Sequence, residues 1–165
     1  MKPTAIVYSS HTGHTARYAG MLAEESGLPV YSLAEADKKL ARGTRVIYMG
    51  WLLASTVKDY GKARRRYEVM AVCGVGLCDT GTLLSEVRKA ARIPSDIPLF
   101  TLQGGIDLVK LQGIYRKMIN TLTRFMISKK NPTADDRRMV ELLQCGEDFV
   151  SRENLAGVLK WYEEK

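Results

Sequence analysis

Cysteine is scarce in this 165-residue chain. The three present, Cys73, Cys78 and Cys145, are odd in number and form no Cys-x-x-Cys pair. Neither a disulfide framework nor a zinc site is expected from them. Long apolar runs are absent too. The longest candidate, Val46 to Val57, falls short of the ~20 residues of a spanning helix and carries Ser55 and Thr56 near its end. The first residues, Met1-Lys2-Pro3-Thr4, lead into a short apolar strand and not into a signal-peptide core, so a cytoplasmic protein is expected. Repeats, low-complexity tracts and long linkers are missing, and a single domain over 1–165 is expected. Disorder is excluded, because 45% of the residues are hydrophobic.

Several signature motifs are also lacking. The chain has no Gly-x-x-x-x-Gly-Lys-Ser/Thr, which excludes a P-loop nucleotidase. Gly74-Val75-Gly76 opens a dinucleotide-type run, but Asp79 stands where its third glycine belongs. That run also follows the fourth strand and not the first. A receiver domain would need acidic residues after the first strand, where Ser9, Ser10 and His11 stand.

What the chain does have is positive charge. Lys and Arg number 25 against 18 Asp and Glu, a net charge of +7. Such a surface favours anionic partners, or is a solvated face that happens to be basic.

Strand and helix patterns alternate. Thr4–Tyr8, Pro29–Leu33, Arg45–Trp51, Glu68–Val75 and Pro98–Leu102 read as five short strands, the second at an edge where proline is tolerated. Ala16, Ala19, Gly20 and Ala23 form a small-residue helical face that Gly27 ends. Lys58–Arg66 reads as a short helix, and Leu83, Leu84, Val87, Ala90 and Ala91 as another stripe. After the fifth strand, Leu111, Ile114, Tyr115, Met118, Leu122, Phe125 and Met126 hold a helical stripe to about Lys130, and Asn131-Pro132 breaks it. Asp135–Gln144 and Ser151–Glu164 read as two further helices. Strands alternating with helices predict a doubly wound α/β fold on a parallel sheet.

Ligands of such sheets bind beyond the carboxyl ends of the strands. The first of these ends reads Ser9-Ser10-His11-Thr12-Gly13-His14-Thr15. Hydroxyls and a glycine at a helix N-terminus suit a phosphate, because unpaired N–H groups and the helix dipole both favour an anion. The competing reading is an ordinary N-cap, for which one hydroxyl suffices. His11 and His14 have no cysteine or acid nearby to complete a metal set, and are read as residues of the same loop.

The run Ser10-His11-Thr12-Gly13-His14-Thr15 resembles the Ser/Thr-x-Thr-Gly-x-Thr phosphate loop of flavodoxins, at that family's position. The long basic segment after the fifth strand is similar to that of the menaquinone-dependent protoporphyrinogen dehydrogenase group. The resemblance implies a flavodoxin-like three-layer sandwich, with a five-stranded parallel sheet in order 2-1-3-4-5 and extra C-terminal helices. It implies noncovalent FMN, its phosphate held by Ser10, Thr12, Gly13 and Thr15 with the backbone of His11 and His14. A second loop maps onto Gly50, Trp51, Leu52, Leu53, Ala54 and Ser55. Trp51 is there either a flavin-stacking aromatic or a core residue. A third maps onto Gly74, Val75, Gly76, Leu77, Cys78 and Asp79, where glycines would let the backbone reach the flavin edge and the aromatic common in flavodoxins is missing. The implied activity is electron transfer or an oxidoreductase reaction, with quinone-linked protoporphyrinogen oxidation as its narrowest form. The partner would be a redox protein, or a small-molecule or quinone substrate.

Two basic features leave alternatives open. Lys110, Arg116, Lys117, Arg124, Lys129 and Lys130 accompany the long apolar stripe. That segment either packs its apolar side on the sheet or lies on an anionic membrane at its inner face. Lys62, Arg64, Arg65 and Arg66 suit an acidic redox partner or nucleic acid. No aromatic-studded strand face or helix-turn-helix pattern accompanies them, which argues against nucleic acid. A basic, non-catalytic module for nucleic acid or another phosphorylated anion is the alternative to the flavin reading.

Overall fold

The computed structural model describes residues 1–165. By contact the chain forms two compact units, Met1–Gly104 with Val150–Lys165, and Gly105–Phe149. No helix is long and apolar enough to cross a membrane.

The larger unit is built on strands β1 (Ala5–Ser9), β2 (Val30–Ser32), β3 (Arg45–Leu53), β4 (Thr56–Val57), β5 (Glu68–Gly76) and β6 (Leu99–Gln103). Five of them are parallel, in the order β2-β1-β3-β5-β6, while β4 pairs antiparallel with the end of β3. Taken in chain order, the parallel strands run 2-1-3-4-5, the flavodoxin-like arrangement. Ala5, Ile6 and Val7 of β1 are all buried, as expected of a strand covered on both faces.

The two faces carry separate cores. Ile6, Ile47, Met49, Val75 and Leu102 pack with Tyr18 and Leu22 of α1 (His14–Ser26) and with Val158 of the last helix, α7 (Ala156–Glu163). Val7, Val46, Tyr48 and Val72 pack on the other face. Their partners are Ala36 of α2 (Leu33–Lys39), Tyr60 and Ala63 of α3 (Tyr60–Arg66) and Val87 of α4 (Leu84–Ala91). The alternation of Val46 and Tyr48 with Ile47 and Met49 follows from the two-residue period of a strand.

Three local expectations need correction. The buried face of α1 is Thr15, Tyr18, Ala19 and Leu22, and not the small-residue row, of which only Ala19 is buried. Tyr18 wins because its ring fills the layer while its hydroxyl is satisfied. It donates to the Gln103 carbonyl and accepts from Asn154 Nδ2 at 2.7 Å. In α4 only Val87 is buried; Leu83 and Leu84 are exposed. Helix α2 has no counterpart in the sequence reading, although Ser32 and Glu35 form a capping box there. The Ser-x-x-Glu spacing was its available signal.

The smaller unit, Gly105–Phe149, opens and closes on two short antiparallel strands, β7 (Gly105–Ile106) and β8 (Glu147–Asp148). Between them stand α5 (Gly113–Ile127) and α6 (Ala134–Cys145). Asn131-Pro132 breaks the helical run as expected. Thr133 then caps α6 in a reciprocal box with Asp136, and Lys129 pairs with Asp136 at 2.6 Å across the turn. The extra helices stand between β6 and α7, in the chain order expected.

Candidate functional site

The carboxyl end of β1 lies at the switch point of the sheet, between β2 on one side and β3 on the other. In this fold the crevice beside such a strand receives the ligand. Gly13 ends the loop there as the N-cap of α1, at φ 106°. A side chain is strained in that conformation, so glycine is the residue for it. No side chain caps the helix. Ser10 Oγ instead accepts from the Gly13 N–H at 3.2 Å and closes the loop on itself. Thr12 Oγ1 and His14 Nδ1 share a hydrogen bond at 3.1 Å.

The loop opens onto a cleft of about 600 Å³, a volume within the usual range for small-molecule sites. Ser10, His11 and Gly13 line it, together with Ser32, Leu33 and Asp37 from the β2–α2 side and Asp59 and Lys62 from the start of α3. Asp59 accepts from Ser9 Oγ at 2.8 Å and pairs with Lys62 Nζ at 2.8 Å. Burial alone would raise the Asp59 carboxyl; hydrogen bonds from Lys62 and Ser9 outweigh it and hold it below its ordinary value.

Of the first predicted loop, Ser10, His11 and Gly13 line the cleft, and Thr12, His14 and Thr15 do not. Thr15 is buried in the first turn of α1, and His14 nearly so, while Ser10, Thr12 and Gly13 are half-buried and His11 is exposed. Thr15 faces the core because it shares the helix side of Tyr18 and Leu22.

The second loop is mostly strand. β3 continues through Trp51, Leu52 and Leu53, because Leu52 pairs with Val57 and Leu53 with Thr56. Ala54 and Ser55 make the turn between them, at φ 47° and 62°. Trp51 belongs to neither core. Its half-buried ring stacks on His11, with Lys58 Nζ 6.0 Å from its centroid.

The third predicted loop is half strand: Leu77, Cys78 and Asp79 lie in the loop after β5, while Gly74, Val75 and Gly76 belong to the strand. Gly74 and Gly76 are strand residues of β5, and Gly74 is paired with Gly50. A Cβ on Gly74 would stand 2.8 Å from Leu52 Cδ2, and one on Gly76 2.9 Å from Leu52 Cδ1. These glycines make room for Leu52. None of Gly74, Val75, Gly76 and Asp79 lines the cleft. Beyond them, Thr80 Oγ1 accepts from Gln103 N at 2.9 Å and Thr101 Oγ1 donates to the Thr82 carbonyl at 2.7 Å, which ties that loop to β6. The Cys78 thiol is pushed up by desolvation and by Asp79, away from the thiolate.

Asp59 and Ser32 escaped the sequence reading, because nothing in their spacing ties them to the first loop. Lys62 was visible only as one of a basic cluster. No group of three or more His, Cys, Asp or Glu side chains is placed to hold a metal ion.

Fold and cleft together define a doubly wound α/β protein with an open cleft at the switch point of its sheet. No family model matches the chain, and no curated protein matches it. Among solved structures it is similar to rubredoxin oxygen:oxidoreductase from the anaerobe Desulfovibrio gigas, at 15% identity and a TM-score of 0.38. The likeness covers 99% of this chain and 38% of that one, so the chain spans well under half of that protein's length.

Proposed function

We propose that this chain binds FMN and works as an electron-transfer or oxidoreductase protein. The observation that supports it most is the N-terminus of α1, fronted by left-handed Gly13 and opening onto the switch-point cleft. The donor set fits the group. The first-turn N–H groups and the helix dipole favour a phosphate, and the Ser10 and Thr12 hydroxyls add donors. Trp51 offers an aromatic face beside the same loop. Asp59, ionised and braced by Ser9 and Lys62, is an acceptor for ligand hydroxyls in the cleft. Bound FMN would supply one- and two-electron chemistry, while the chain binds it, orients it and sets the charge around it.

Titration of the purified chain with FMN and with riboflavin tests this reading. Tight one-to-one binding of FMN and weaker binding of riboflavin are expected. Ser10→Ala with Thr12→Ala should weaken FMN by about ten- to a hundredfold, the range for lost hydrogen bonds to a charged group. Equal affinity for both flavins, or binding of neither, would refute the reading and favour another phosphorylated anion. The narrower form, oxidation of protoporphyrinogen with a quinone acceptor, stands on the resemblance of segment 110–130. It is tested by porphyrin fluorescence in the FMN-loaded chain with and without a quinone, and unchanged fluorescence would remove it.

A further inference from the structure

Helix α5 buries none of its own residues. Ile114, Met118, Leu122 and Phe125 recur every three or four positions, so they share one face. All four are between 42% and 68% exposed. The neighbouring face is partly covered: Tyr115, Ile119, Thr123 and Met126 are half-buried, and Leu142 and Leu143 of α6 are buried. Helix α6 thus occupies one side of α5 and leaves the adjoining side open. Single exposed apolar residues are ordinary, but an aligned strip of four marks an interaction surface.

Charge says what kind. From Leu108 to Ala134 the chain carries Lys110, Arg116, Lys117, Arg124, Lys129 and Lys130, and no Asp or Glu. Lys110 pairs with Asp107 and Lys129 with Asp136, both outside that stretch. Lys117 and Arg124, one heptad apart, flank the apolar strip on the side away from Tyr115 and Met126. A second copy of this helix would set like charges together along the whole contact. An anionic headgroup layer instead satisfies the flanking cations while the strip enters the boundary with the acyl chains. The helix is too short and too charged to span.

We propose that α5 docks this chain on an anionic lipid surface, lying in the interface with Ile114, Met118, Leu122 and Phe125 inward. This does not rest on the flavin reading. The test is co-sedimentation of the full chain with vesicles of phosphatidylcholine alone and of phosphatidylcholine mixed with phosphatidylglycerol. Binding to the mixed vesicles only, weakened by salt, is expected. Ile114→Ser with Phe125→Ser should lower the partition coefficient more than about tenfold, since burying one large apolar side chain is already worth about a tenfold step. Its circular dichroism and melting should match the parent, because both side chains are exposed. Arg64→Gln with Arg65→Gln, on a different surface, should bind nearly as the parent does. No binding to the mixed vesicles at low salt overturns the proposal. So does undiminished binding of the folded Ile114/Phe125 variant, which would assign attachment to general surface charge. Dimerisation that the same variant abolishes would make a second copy the occupant, and overturns it as well.

Discussion

The imidazole of His11 lies against the indole of Trp51, with ring centroids 5.5 Å apart and planes 29° from parallel. One ring comes from the loop after β1 and the other from the end of β3, so the contact bridges the two strands at the switch point. Trp51→Ala should weaken FMN about two- to tenfold, the worth of an aromatic contact. It should leave competition by inorganic phosphate unchanged, because the phosphate is held by the loop. Fluorescence titration of both ligands checks this. An unchanged FMN affinity would remove Trp51 from the site.

Leu52 occupies the space that Gly74 and Gly76 leave over β5. Gly74→Ala should cost about 1–3 kcal/mol by overpacking. The cost should shrink in a Leu52→Ala background, with a coupling of about 0.5–3 kcal/mol. Urea unfolding of the four variants measures it. A cost independent of Leu52 would mean that the glycines serve something else.

Ala54 and Ser55 both sit in left-handed conformations at the β3–β4 turn. An L-residue there is disfavoured by about 1–2 kcal/mol. Glycine removes that strain, at an entropic cost of about 0.5–1 kcal/mol. Ala54→Gly should therefore raise Tm by up to about 4 °C. A melting curve that falls instead would show the turn to be held by something other than its own backbone.

In the smaller unit, the Lys129 ammonium and the Thr133 N–H hold the Asp136 carboxyl down to about 2, from an ordinary value of 3.8. A depressed carboxyl stabilises the fold above its ordinary value and loses that contribution as pH falls through the folded one. The contribution is thus complete at pH 5 and above, and fades toward pH 2. Asp136→Asn should speed amide exchange at the start of α6 near neutral pH. The difference from the parent should vanish in strong acid. Equal exchange at neutral pH would show the Lys129–Asp136 pair to be idle.

Much of the larger unit was legible because its signals are local. The apolar runs at Ile6, Ile47 and Val72 announce strands covered on both faces, and Gly27 does end α1, its N–H bonding the Ala23 carbonyl at 2.9 Å. The loop between β1 and α1 was legible for the same reason, since Ser10, Thr12 and Gly13 are neighbours in the chain. Helix α2 was missed because Pro29–Leu33 was read as a strand through its first residue, and the Ser32–Glu35 capping box that starts the helix was passed over.

What the sequence determined alone was therefore the alternation of strands and helices, the glycine before α1, and the acid-free basic stretch along α5. Each depends on residues close together in the chain. Only the tertiary structure decided that Tyr18 and not the small residues faces the sheet. It also decided that Gly74 and Gly76 yield to Leu52, and that Asp59 and Lys62 join Ser10 around one cleft. These are contacts across strands or between distant segments. They depend on side-chain volume and strand register, which no spacing along a single chain encodes.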